Sequence, residues 1–168
     1  MIETERLILK PLNYEQLLKY IKADHSLEQE LKLNKTLRSI SPELKEALED
    51  SILPTVADPQ KNYFYATLWT IILKIENKMV GDLCFMGEPN LDGEIELGYG
   101  TYIEFQRKGY MTEAVGGILQ WVKTQPEVRK VLASTEKANT ASHGILQKNS
   151  FSQISETGSI INWEIKVV

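Results

Sequence analysis

The stretch from Glu94 to Val122 constrains this chain more than any other, because it reads as a strand running through a tight, glycine-containing connection into a helix. Ile95, Leu97 and Tyr99 alternate with Glu96 and Gly98, the period of a strand with one covered face. The connection ends at Lys108-Gly109-Tyr110. From Thr112 to Val122, Ala114, Val115, Ile118, Leu119 and Val122 are spaced to form one buried helix face. Gly116 and Gly117 each cost that helix about 1 kcal/mol relative to alanine, and close packing against a sheet is one reason to keep them. A helix that opens from such a turn leaves its first N–H groups without internal partners, and the aligned peptide dipoles add partial positive charge. Gly109 lets a bulky ligand approach the main chain. The turn is therefore a candidate anion site. Each hydrogen bond to a charged group contributes about 1.5–3 kcal/mol, enough for a few amides to hold a diphosphate. Arg107 and Lys108 add charge at the rim. The plain alternative is an ordinary strand-to-helix turn. Neither the glycine pattern of dinucleotide folds nor the Walker pattern is present.

The flanking sequence supplies the rest of a mixed domain. Leu7-Ile8-Leu9 reads as a first strand. Asn13 with Gln16 three residues on forms a capping-box pattern for a helix to about Ala23. Ser41-Pro42-Glu43 opens another helix, which Pro54 is expected to stop. Tyr63 to Ile75 and Met79 to Phe85 read as strands around a turn at Glu76-Asn77-Lys78. Val131 to Thr135 is a further strand, Asn139 caps a helix from Thr140 to about Asn149, and two strands around Gly158 close the chain. This order predicts one α+β domain over residues 1–168 with a mixed sheet.

Composition narrows the partners. The net charge of −4 and the absence of a dense Lys/Arg stripe argue against nucleic acid, and no apolar run reaches the roughly 20 residues of a membrane span. The N-terminus has no apolar stretch of the signal-peptide kind. Cys84 is alone and sits in an apolar run, where it reads as a small buried hydrophobe, so the cytoplasm is the expected compartment. His25 and His143 lack metal-ligand spacing, and no metal is expected.

Ile95-Glu96-Leu97-Gly98-Tyr99 through Phe105-Gln106-Arg107-Lys108-Gly109-Tyr110-Met111-Thr112-Glu113-Ala114 resembles the cofactor-binding motif of the GNAT superfamily. Asn139-Thr140-Ala141-Ser142 and Leu146-Gln147-Lys148-Asn149-Ser150-Phe151 resemble a second segment of that family, and Thr4-Glu5-Arg6-Leu7 is similar to the opening of its ribosomal-protein N-terminal acetyltransferase branch. Met111 stands where the short signature has Gly or Ala, Tyr102-Ile103 where many relatives have Asp-Pro, and Ser150 where they have glycine.

The resemblance implies a GNAT-like fold, with a mostly antiparallel sheet splayed at the cofactor and flanked by helices. It implies an acetyl-CoA-dependent N-acetyltransferase that uses direct attack by a primary amine, on a protein N-terminus or a small molecule. Main-chain N–H groups from Arg107 to Thr112 (Arg107, Lys108, Gly109, Tyr110, Met111 and Thr112) would hold the diphosphate, and Gln106 beside them belongs to the same cofactor-binding set. Those of Tyr99, Gly100 and Thr101 would pair with the pantetheine arm, with Gly98 and Gly100 allowing a bulge whose N–H stabilises the oxyanion. Asn139 and Ser142 would face the cofactor. Glu96 is the candidate base and Ser142 the candidate partner of the leaving thiolate, since Leu146 stands where many relatives carry a tyrosine. For each of these two the bland reading is a surface residue. The acceptor side is expected from the N-terminal helices and Tyr63-Phe64-Tyr65. A homodimer is compatible with this reading. The second reading keeps the cofactor without turnover, as an acyl-CoA-binding sensor or partner module.

Overall fold

In the computed structural model, which describes residues 1–168, eight strands form one sheet: β1 (Ile2–Glu3), β2 (Leu7–Pro11), β3 (Leu68–Leu73), β4 (Lys78–Phe85), β5 (Glu94–Thr101), β6 (Lys130–Glu136), β7 (Ser152–Thr157) and β8 (Ile160–Lys166). Their order is β1-β2-β3-β4-β5-β6-β8-β7; β2, β5 and β6 alternate buried with more exposed residues, whereas β3 is buried throughout and the edge strand β7 is exposed throughout. Every pair is antiparallel except β5 with β6. That parallel pairing covers only Glu94–Glu96. β5 continues alongside β4 to Thr101, and β6 continues alongside β8 to Glu136. The sheet therefore forks after Glu96.

Helices α1 (Tyr14–Lys22), α2 (Ser26–Leu31), α3 (Pro42–Ala47) and α4 (Leu53–Ala57) precede β3, and α5 (Tyr110–Val122) and α6 (Thr140–Lys148) follow β5 and β6. One sheet face packs against α5 and α6 through Leu9, Leu83, Leu97, Val115, Ile118 and Leu146. The other packs against the N-terminal helices through Leu17, Tyr20, Leu48, Leu68 and Met79. Burying each such side chain contributes about 1.5–3 kcal/mol. Gly117 is required by this packing, since a Cβ there would stand 2.7 Å from Thr4 Cγ2 on the strand side.

The capping box at Asn13 and Gln16 and the Ser41 cap form as expected. Three expectations fail. Pro54 does not end its helix. A π-turn over Leu48–Ile52, in which the Leu53 N–H reaches back to the Leu48 carbonyl, carries the chain past the proline, whose missing N–H falls near the start of α4. Tyr63–Tyr65 is a 3-10 turn capped by Asn62 rather than strand, and β3 begins only at Leu68. No bulge interrupts β5 at Gly98 or Gly100. Its register with β4 is continuous from Leu97 to Thr101, and the splay comes from divergence of β6 instead.

Candidate cofactor and active site

The fork, the β5–α5 connection and the start of α6 enclose a cleft of about 610 Å³, in the size range of small-molecule sites. Its lining includes all of Tyr99, Gly100, Thr101, Asn139, Ser142 and the run Gln106–Thr112. It also carries Arg107, Lys108 and Lys148 and no carboxylate, so the local charge is positive although the chain as a whole is acidic.

The connection is built to present amides. Arg107 and Gly109 have left-handed φ values of 63° and 79°, with Lys108 between them at negative φ. This alternation turns successive N–H groups toward one side, the geometry of an anion-binding nest. The six N–H groups from Arg107 to Thr112 donate to no protein acceptor, whereas Gln106 N–H is taken by the Ile103 carbonyl and Glu113 N–H by the Gly109 carbonyl. The Gly109 N-cap supplies no side-chain bond to the helix. Six orphan donors at the wall of a cationic cleft fit a diphosphate.

The open edge of β5 forms a second wall. Glu96 carbonyl accepts from Met86 N–H, and Tyr102 N–H donates to the Val80 carbonyl, so Glu96, Gly98, Gly100 and Tyr102 point their main chains at β4. The alternate residues Tyr99 and Thr101 face the fork, where Gln106 Nε2 already occupies the Thr101 carbonyl at 3.2 Å. Gly100 lines the cleft, but its main chain is paired with Asp82 and is not free for an added strand.

Ser142 is 7% exposed and sits 2.7 Å, Oγ to hydroxyl, from Tyr99. Burial raises the Tyr99 phenol above its usual pKa, and the Ser142 contact only partly offsets this, so the phenol keeps its proton at neutral pH. Sequence reading assigned Tyr99 only through its main chain. The strand alternation that places its ring on the α6 side was the available signal. Asn139 uses Oδ1 to accept from Ser142 N–H at 3.2 Å, which leaves its Nδ2 without a protein partner. His143 turns away from the cleft, bonding the Glu136 carbonyl and packing on Trp163.

Glu96 lies outside the cleft lining. It is exposed on the opposite sheet face, at the last paired residue before the fork, with Ser134 Oγ 3.4 Å from its carboxylate. On that same face Asp82 stands across from Gly100 and accepts from the Tyr20 and Tyr102 hydroxyls at 2.6 and 2.9 Å. Burial lifts the Asp82 carboxyl above its usual range, against the pull of both phenols and Arg38. Burial, with Asp82 and Glu96 nearby, pushes the Cys84 thiol up to about 11, which keeps it un-ionised and a poor nucleophile.

With this geometry in place, the chain matches the family model of the acetyltransferase (GNAT) domain over residues 6–152. The chain belongs to the GNAT acetyltransferase family. The GNAT fold extends over its length. A GNAT-family acetyltransferase from Bacillus anthracis superposes with a TM-score of 0.66 at 16% identity, covering 99% of this chain and 98% of that one. RimL, a ribosomal L7/L12 alpha-N-protein acetyltransferase solved with coenzyme A, gives 0.68 at 16% identity over 97% and 95%. The ribosomal-protein-S5-alanine acetyltransferase of Vibrio fischeri gives 0.67 at 18% over 98% and 94%. The uncharacterized N-acetyltransferase YjdG of Bacillus subtilis (strain 168) is 34% identical over 83 residues, which is 49% of each chain, so the match spans about half of that relative.

The GNAT assignment leaves one expected element out of the site. Phe64 and Tyr65 pack with Trp69, Phe85 and Trp121 in an aromatic cluster, and Tyr63 stacks on Phe64. Trp121 lies at the far end of α5 from the anion-binding turn, so buried Tyr65 and half-buried Phe64 pack into the core away from the cleft, with Tyr63 half-buried beside them. Conversely, Lys148 lines the cleft, and Arg6 and Glu113 pair behind its amide-bearing turn, though none of the three was named as a site residue from the sequence. Arg6 and Glu113 lie 107 positions apart in the sequence, and no local pattern links them.

Proposed function

We propose that this chain is a single acetyltransferase domain over residues 1–168 that moves an acetyl group from acetyl-CoA to a primary amine. The observation that carries the reading is the run of six unpaired amides, Arg107 to Thr112, along a cationic cleft at the fork of the sheet. Those amides would hold the diphosphate, with Arg107, Lys108 and Lys148 compensating its charge. Main-chain groups of Tyr99, the Thr101 N–H and the free Nδ2 of Asn139 would hold the pantetheine arm. Acetyl-CoA supplies, when bound, an activated thioester whose carbonyl carbon is open to an amine and whose sulfur can leave.

The protein's own residues divide the proton work. An amine arrives largely as its ammonium form and must lose a proton to become nucleophilic. Glu96, exposed on the acceptor side of the fork, takes that proton, directly or through water, and passes it to solvent. On the cleft side, the protonated Tyr99 phenol donates to the departing sulfur while Ser142 Oγ orients it, and the second proton, shed by the nitrogen once it is acylated, restores the phenol. The resemblance to RimL and to the S5-alanine enzyme favours a protein N-terminus as acceptor, and the lone thiol suits a cytoplasmic chain.

Thiol release tests the reading across a panel of amines: serine- and alanine-initiated peptides, spermidine, lysine and an aminoglycoside. Product mass spectrometry follows. We expect at least one amine to gain 42 mass units, the mass of an acetyl group less the hydrogen it replaces, and Glu96→Gln to slow that reaction more than it weakens CoA binding. A chain that binds CoA but acetylates nothing in the panel would contradict the enzymatic reading and leave a cofactor-binding module.

A further inference from the structure

The anion-binding turn is gripped from behind by a segment more than a hundred residues away. Arg6 Nε lies 2.6 Å from Glu113 Oε2, and its main-chain N–H donates to Glu113 Oε1 at 2.7 Å. Thr4 Oγ1 donates to the same oxygen at 2.6 Å. Arg6 Nη1 donates to the Lys108 carbonyl at 3.1 Å, and the guanidinium lies 4.8 Å from the centre of the Tyr110 ring. A Cβ on Gly109 would stand 3.4 Å from Arg6 Nη2.

We infer that Arg6 is the positioning residue of the cofactor site: by holding the Lys108 carbonyl and the Glu113 carboxylate it aims the amides of the turn into the cleft. Two physical consequences follow from these contacts, and both rest on the proposed acetyl-CoA reading of the cleft.

The first is geometric. In a planar trans peptide the C=O and N–H point in opposite directions. Fixing the Lys108 oxygen on the Arg6 side therefore fixes the Gly109 N–H on the other side, toward the cleft. Arg107 needs this external hold, because its left-handed φ is unfavourable for a residue with a side chain. Asn149 Nδ2 braces the first turn of α5 at the Thr112 carbonyl, 3.1 Å away, but the N–H of that peptide, Glu113's, is already taken by the Gly109 carbonyl, so the aiming of the free amides falls to Arg6. The second consequence is electrostatic. Glu113 sits in the first turn of α5, where a bare carboxylate would repel a diphosphate. Burial pulls its pKa up, but Thr4 and the main chain and guanidinium of Arg6 outweigh burial and keep it ionised below its usual range. Arg6 therefore offsets a negative charge that the fold has placed beside the anion site.

The test uses the intact chain, with CoA alone as calorimetric probe and acetyl-CoA with the best amine of the panel for kinetics. We expect Arg6→Ala to weaken CoA binding and raise the KM for acetyl-CoA by tenfold or more, with kcat and the KM for the amine within threefold of wild type. Arg6→Lys, which keeps the charge but lacks the fork that reaches both acceptors, should fall between. Adding Glu113→Ala to Arg6→Ala should recover part of the lost CoA affinity, which a merely destabilised fold would not do. Unchanged CoA affinity in Arg6→Ala overturns the inference while leaving the acetyltransferase reading intact. So does a loss confined to kcat, or a double variant no better than the single one. Wild-type protein that binds no CoA overturns both.

Discussion

At Tyr99 one side chain joins strand pattern to chemistry. The period of β5 sends its ring to the α6 side, burial keeps the phenol protonated, and Ser142 Oγ meets it at 2.7 Å. Tyr99→Phe removes the donor with little change in volume. We expect kcat in a thiol-release assay to fall about 100-fold, the low end of a general-acid contribution, with CoA affinity unchanged. Ser142→Ala, which keeps the phenol, should cost less. An unaltered kcat in Tyr99→Phe would show that the sulfur leaves without help from this pair. The sequence pointed to Ser142 through the family resemblance of the Asn139–Ser142 segment and through Leu146 standing where many relatives carry a tyrosine. It could not show that Ser142 meets a residue 43 positions away, since that contact depends on how α6 docks over the fork. Glu96 was legible as a strand carboxylate on the face opposite Ile95 and Leu97, and that face is where it lies.

Elements were read best where caps and periods agree. The Asn13 capping box and the amphipathic α5 needed only local rules. The continuation past Pro54 was hidden because a π-turn depends on the packing of Leu48 and Leu53 into the N-terminal core, which no local rule encodes. The end of α6 shows a local rule bent by sequence. Phe151 N–H reaches the Leu146 carbonyl and Ser150 N–H the Gln147 carbonyl, a Schellman ending that places Ser150 at φ 67°. Glycine is the residue that fits such a position without cost. Ser150→Gly should stabilise the chain by about 0.5–1 kcal/mol, the left-handed strain relieved less the added freedom of the unfolded chain. In a domain of this size that is roughly 1–4 °C in Tm by thermal melting. A lower Tm would mean that the serine makes a compensating contact.

At the scale of the whole molecule, the sheet separates two environments: an amide-rich cationic cleft on one side of β5 and a buried polar cluster on the other. Asp82 anchors that cluster, with Oδ1 lacking a partner and Oδ2 held by two phenols. Its pKa is raised on folding, so ionising it works against the native state. The stability it forfeits is present at low pH and lost as pH rises through the folded-state value. Asp82→Asn keeps an acceptor for both phenols and removes the charge. Urea unfolding should find this variant more stable than wild type at pH 8, with the advantage shrinking as pH falls toward 4; parallel stability at both pH values would contradict the assigned cause. The central claim concerns the other side of β5, and calorimetry with CoA on wild type and Gly109→Asp tests it most directly. Gly109 holds a φ of 79° in the turn, so aspartate there adds both strain and negative charge. We expect saturable CoA binding by wild type, and no measurable binding by a Gly109→Asp chain that still melts cooperatively. Equal affinity in the two proteins would contradict the claim that the amides around residue 109 hold the cofactor.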